Sequence, residues 1–186
     1  ALISTTPNAL DSAAIFDFGQ AVSDYTKAIE LNPEYADAYN SRGIVHYAQN
    51  DLDLSIADYN KAIELNSSYE GSYYNRGNAY SKKGYLDQAI ADYSQAIELD
   101  PNHADTYSSR GDAYTKNGDF RMAIADYTKA IEIDPKHAHA HNNRGFAYQA
   151  KGDLERAIAE YNNGDGVEFV AGTGGGMRCY QLGGDN

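Results

Sequence analysis

Three histidines at alternate positions, His137, His139 and His141, are the densest set of metal-type side chains in the chain, and His103 lies one 34-residue step before His137. Imidazoles four apart on a helix, as His137 and His141 would be, suit a zinc ion. The same residues also read as packing positions. His141 falls in line with Tyr39, Tyr73 and Tyr107, and His103 and His137 fall in line with Tyr69. Packing is therefore the expectation, and no metal ligand is assigned. The glycine-rich run Gly172–Gly176 lacks the following Lys-Ser/Thr and helix of a phosphate loop, so no nucleotide cofactor is expected. No Ser-His-Asp set or carboxylate pair stands apart from repeated positions. A non-enzymatic chain without cofactors is the reading.

A different chemistry runs along the repeated positions. Gly43, Gly77, Gly111 and Gly145 are each 34 residues apart. Three residues before them stand Asn40, Tyr74, Ser108 and Asn142, and two before them stand Ser41, Asn75, Ser109 and Asn143. One residue after them stand Ile44, Asn78, Asp112 and Phe146. An amide side chain offers both a donor and an acceptor, which suits it to hold a peptide backbone. The candidate peptide-binding groove is therefore Asn40, Ser41, Tyr74, Asn75, Asn78, Ser108, Ser109, Asp112, Asn142 and Asn143.

The elements that carry these columns follow from the same step. Tyr25, Tyr59, Tyr93, Tyr127 and Tyr161 keep it, as do Ala28, Ala62, Ala96 and Ala130. Within 70–103, Tyr73, Gly77 and Tyr80 fall at helical spacing, Lys83-Gly84 breaks the run, and Leu86, Ala89, Ile90, Tyr93, Ala96 and Ile97 resume it. Asp100-Pro101 ends it, because proline disfavours helix at the residue before it. Each unit predicts two antiparallel helices, with small residues such as Gly77 and Ala89 letting the backbones approach.

The aromatic, Gly, Tyr, Ala, Tyr, Ala and Pro at Tyr73, Gly77, Tyr80, Ala89, Tyr93, Ala96 and Pro101, repeated at Tyr107, Gly111, Tyr114, Ala123, Tyr127, Ala130 and Pro135, resemble the tetratricopeptide repeat. The resemblance implies an all-α, right-handed superhelical solenoid of about four and a half helix-turn-helix repeats, with a concave inner face lined by the first helices. One departure recurs: Arg42, Arg76, Arg110 and Arg144 replace the usual leucine. Asp58, Asp92, Asp126 and Glu160 follow 16 residues later, and exposed intra-repeat ion pairs are expected. Such pairs contribute only about 0–1 kcal/mol each. The lysines that clamp acidic peptide tails in part of this family are missing from the corresponding slots.

The organisation expected is a degenerate first helix over 1–18, with Thr6 as its cap, then an array over 19–163. The array divides into a second helix at 19–34, repeats at 36–69, 70–103 and 104–137, and a partial repeat at 138–163. A Gly-rich extension occupies 164–186, with β-like stretches at Val167–Ala171 and Met177–Leu182. Solenoid ends normally carry polar caps, and none is recognisable here. Tyr161, Val167, Phe169 and the lone Cys179 are accordingly the assembly candidates. End-to-end stacking into an extracellular filament is the alternative to a peptide-binding scaffold. Asn66-Ser67-Ser68 is a glycosylation sequon in an accessible turn.

Composition narrows the partners. With 27 acidic and 15 basic residues among 186, the formal charge is −12, which disfavours nucleic acid and anionic membrane surfaces. No apolar run approaches the roughly 18–20 residues that cross a bilayer. The partners expected are proteins or peptides, including the chain itself. The first residue, Ala1, leaves the compartment open between extracellular and cytoplasmic.

Overall fold

The structure, a computed structural model, describes residues 9–164, 167–171 and 177–181, with side chains over 18–161. Helices α1 Ala9–Leu31, α2 Ala36–Ala48, α3 Leu52–Leu65 and α4 Glu70–Lys83 fall in one compact unit, Ala1–Lys83. Helices α5 Leu86–Leu99, α6 Ala104–Lys116, α7 Phe120–Ile133, α8 Ala138–Ala150 and α9 Leu154–Gly164 fall in a second, Gly84–Asn186, with strands β1 Val167–Ala171 and β2 Met177–Gln181. The division falls at the glycine turn inside the 70–103 repeat. No helix among the described residues is long and apolar enough to cross a membrane.

Two turn chemistries alternate along the chain. The turn inside a repeat needs a left-handed residue. Gly84, Gly118 and Gly152 take φ near +83°, +83° and +82°, and Asn50 takes +67° in the equivalent slot. The carbonyls at each helix end are closed by paired bonds, as when Asp119 N–H donates to Tyr114 O (2.9 Å) and Gly118 N–H to Thr115 O (3.1 Å). The turn between repeats is built by a side chain. Asn32, Asn66, Asp100 and Asp134 each accept, through Oδ1, the amide two residues on, at 3.1, 3.1, 2.9 and 3.0 Å. Ser67 can therefore replace proline in one repeat, because the side-chain bond makes the turn.

The core is alanine and tyrosine. In the first unit Ala38, Tyr59, Ala62 and Ala79 are buried; in the second Tyr107, Ala123, Tyr127, Ala130, Ala140 and Ala147 form one cluster. The repeated glycine serves a tyrosine ring rather than a neighbouring backbone. A Cβ on Gly43 would lie 2.7 Å from the Tyr59 ring, one on Gly111 2.7 Å from Tyr127, and one on Gly145 2.9 Å from Tyr161. Each of these glycines opens a slot on the first helix of a repeat for the tyrosine of its second helix.

At the N-terminus the expected break near residue 18 is not found. Helix α1 runs unbroken for 23 residues through Gly19, and Phe16 stands in the slot that Asn50, Gly84, Gly118 and Gly152 fill at the other turns. Thr6 lies outside the described residues. At the other end β1 and β2 pair antiparallel, with Phe169 opposite Cys179 and Val167 opposite Gln181. The second strand thus ends one residue before the expected Leu182.

Candidate functional site

In the first unit α2 and α4 are the first helices of successive repeats, and α4 lies against both α2 and α3. Asn40 is buried between α2 and the next repeat. Its Oδ1 accepts from Ser72 Oγ (3.1 Å) and Asn75 Nδ2 (3.2 Å), and its Nδ2 donates to Tyr69 Oη (3.3 Å). Asn40 therefore joins one repeat to the next. Ser41, Tyr74, Asn75 and Asn78 remain half-exposed. Beside Ser41 opens a cavity of about 260 Å³ lined by Asp24, Tyr25, Ala28, Tyr35, Asp37 and Ala38. Gln20 donates to Asp24 there (2.8 Å), and the Asp37 carboxylate accepts from the Tyr69 hydroxyl.

In the second unit α6 and α8 stand in the same relation. Ser108, the counterpart of Asn40, is buried, and its hydroxyl has no partner among the described residues. Asn142 is exposed, and Ser109, Asp112 and Asn143 are half-exposed. Of the two columns expected to face a ligand, the one three residues before the glycine turns inward at Asn40 and Ser108. The column two residues before it stays half-exposed in all four repeats, with Asn75 and Asn143 each reaching back to the preceding first helix, at Asn40 and Asp112.

Asp112 is the hub of this second face. Its Oδ1 accepts from Tyr127 Oη and Asn143 Nδ2, both at 2.8 Å, and its Oδ2 lies 2.8 Å from His139 Nε2. A hydrogen on that nitrogen completes the contact. Tyr127 Oη also pairs with Thr115 Oγ1 at 3.0 Å. A cavity of about 290 Å³ opens here, lined by Asp112, Thr115, Lys116, Tyr127, Asn143 and Phe146. Phe146 is half-exposed and meets Phe120 edge-on, with ring centres 6.5 Å apart.

The arginine column turns away from these faces. Arg42 forks Asp58 through Nε–Oδ2 (2.9 Å) and Nη2–Oδ1 (2.7 Å), and its Nη1 donates to Thr26 Oγ1 (3.0 Å). Arg110 repeats the arrangement with Asp126 and Ser94, and Arg144 joins Glu160 and Thr128. Arg76 donates to Asn60 Oδ1 (2.6 Å). The arginine thus clasps its own repeat to the second helix of the preceding one. Asp58 and Asp126 are buried, so the expected exposed pairs are internal ones. The bond to Asp58 raises the Arg42 pKa against a smaller opposing effect of burial, and for Arg110 the bonds and charge of Asp126 outweigh burial to the same effect. The hydroxyl and amide column Thr26, Asn60, Ser94 and Thr128 was readable at 34-residue spacing, but only the arginine contact gives it meaning.

The three alternate histidines go to three different carboxylates. His137 Nε2 lies 3.0 Å from Asp105, His139 Nε2 2.8 Å from Asp112, and His141 Nδ1 2.9 Å from Glu160. In three repeats the arginine guanidinium lies over the ring at the His141 position, 5.7 Å from Tyr39, 5.6 Å from Tyr73 and 5.8 Å from Tyr107. His141 replaces that ring and bonds the arginine's own carboxylate partner. Among the assembly candidates, Tyr161 is half-buried on Gly145 and donates to Gln149 Oε1 (3.2 Å). Val167, Phe169 and Cys179 lie in the hairpin strands, and their side chains fall outside the described ones. Asn66 is exposed in its turn.

The family model described as TPR repeat matches residues 17–50, 45–84, 77–118 and 111–152. Among solved structures, one titled "Crystal structure of MamA" is 25% identical over 83% of this chain and 90% of its own, with a TM-score of 0.77. The MamA 41-end structure from Desulfovibrio magneticus RS-1 is 19% identical over 78% and 82%, with a TM-score of 0.74. The first TPR of Spaghetti (RPAP3), bound to HSP90 peptide SRMEEVD, is 25% identical over 62% and 92%, with a TM-score of 0.62. No curated protein matches the chain in sequence.

Proposed function

Because the chain belongs to the tetratricopeptide-repeat family, an all-α solenoid class, we propose that it is a non-enzymatic scaffold that binds an extended peptide segment of another protein along its first helices. The observation that carries this reading is the half-exposed polar column Ser41, Asn75, Ser109 and Asn143, flanked in each unit by an open cavity. Such a column offers a peptide backbone both donors and acceptors at regular intervals. The RPAP3 repeat, bound to a peptide, supports the reading. Tyr74, Asn78, Asp112 and Asn142 flank the column. Asn40 acts behind it, joining α2 to the next repeat.

The test is selection of binders from a displayed library of random dodecapeptides, followed by fluorescence anisotropy. Selected peptides are expected to lose about tenfold or more in affinity for the Asn75→Ala/Asn143→Ala variant. No enrichment, or unchanged affinity in that variant, contradicts the reading. A second reading, association between copies, draws on the β1–β2 hairpin, because among the described residues the two strands pair only with each other. Light scattering that shows particle mass rising with concentration, and lost when 164–186 is removed, would favour it; a constant monomer mass would remove it.

A further inference from the structure

We infer that these faces select a partner segment carrying lysine or arginine side chains, which the carboxylates of Asp24, Asp37 and Asp112 receive. The inference rests on the peptide-binding reading and names the chemistry of the peptide.

Three observations carry it. Each cavity sets carboxylate beside an aromatic ring: Asp24 and Asp37 with Tyr25 and Tyr35 in one, Asp112 with Tyr127 and Phe146 in the other. Tyr35 and Phe146 are 46% and 50% exposed, so their rings are open to the flat face or methylene stem of a cationic side chain. Second, the arginines that recur in every repeat leave little positive charge on these faces. Arg42, Arg110 and Arg144 are spent on Asp58, Asp126 and Glu160. Lys116 is the single base among the residues lining the two cavities. Third, the whole chain carries −12, so a basic segment is drawn in and an acidic one repelled at long range.

Asp112 is prepared for this role. Tyr127 and Asn143 occupy Oδ1 and hold the carboxylate in place, while Oδ2 has His139, itself 56% exposed on its side chain, as its described partner. A carboxylate has about four acceptor sites, so Oδ2 keeps room for a guanidinium or ammonium donor. The Asp112 side chain is 29% exposed, enough to be reached and enough shielded for the contact to discriminate.

The test uses the full chain and three fluorescent nonapeptides identical except at two central positions, which hold arginine, norleucine or glutamate. Anisotropy at low salt is expected to rank arginine at least tenfold above norleucine and norleucine above glutamate. The arginine advantage should shrink as sodium chloride is raised. The Asp24→Asn/Asp37→Asn/Asp112→Asn variant, checked for helicity by circular dichroism, should bind the arginine peptide no better than the norleucine one. Equal binding of arginine and norleucine, preference for glutamate, or an undiminished advantage in the variant overturns the inference. Norleucine binding that persists in those cases leaves the peptide-binding reading standing, so the two failures are told apart.

Discussion

Arg110 grips Asp126 with two bonds at once, Nε to Oδ2 at 2.7 Å and Nη2 to Oδ1 at 2.8 Å, with the carboxylate buried. Removing one member of a buried pair leaves the other charge without compensation, which costs about 3–5 kcal/mol. Arg110→Leu is expected to lose stability on that scale in urea unfolding. Lys129→Ala, which breaks the exposed Lys129–Glu132 pair, should change it by less than about 0.5 kcal/mol. The Arg110→Leu/Asp126→Leu double variant should recover much of the loss.

Glycine serves two different needs, and alanine separates them from an unneeded one. Gly111→Ala drives a Cβ to 2.7 Å from the buried Tyr127 ring, an overpacking expected to cost about 1–3 kcal/mol. Gly19→Ala, in helix α1 with nothing within 4 Å, should instead stabilise by about 0.5–1 kcal/mol. Thermal unfolding of the two variants should move in opposite directions.

At Gly118 the constraint is the backbone. Its Cβ would meet nothing within 4 Å, yet φ is +83°. Gly118→Ala is expected to lose about 1–2 kcal/mol through left-handed strain alone. Asn50→Gly, at φ +67° in the equivalent turn, should be tolerated with little change in melting temperature.

Much of this was legible from the repeat. The 34-residue step located the helix pairs, the break at Gly84 and the arginine-acid partners, because each recurs at fixed separation within the unit. Three things were not legible. Whether the residue two or three before Gly43 faces outward depends on how the next repeat is packed, and Asn40 is covered by Ser72 and Asn75 of the following helix. The Asp112 cluster was also hidden, since it joins Asp112 to side chains of the next repeat, and His139 falls in line with Asp37, Gly71 and Asp105, none of them a histidine. Helix α1 is the third: the repeat pattern implies a turn before Gly19, and Phe16 in the turn slot supplies none.

Burial makes alkaline pH a probe of the core. Tyr59 and Tyr127 are pushed well above the ordinary tyrosine value, chiefly by burial. A folded-state value raised above the unfolded one means that the native state holds its proton longer. The stability contributed is intact below about pH 10 and declines as pH rises beyond it, by about 1.4 kcal/mol per pH unit for each such tyrosine. Urea midpoints should therefore be flat in this respect up to about pH 10 and fall above it. Tyrosinate absorbance should appear in two stages, the exposed rings first and the buried ones with unfolding.

The peptide-binding account turns on which side chains a bound segment touches. Cross-saturation from a selected, protonated dodecapeptide to the deuterated chain reads this directly. Signal loss is predicted at Ser41, Asn75, Ser109 and Asn143 and at the flanking Asp112 and Phe146. Loss confined to the second helices α3, α5, α7 and α9, with that column untouched, would contradict the account.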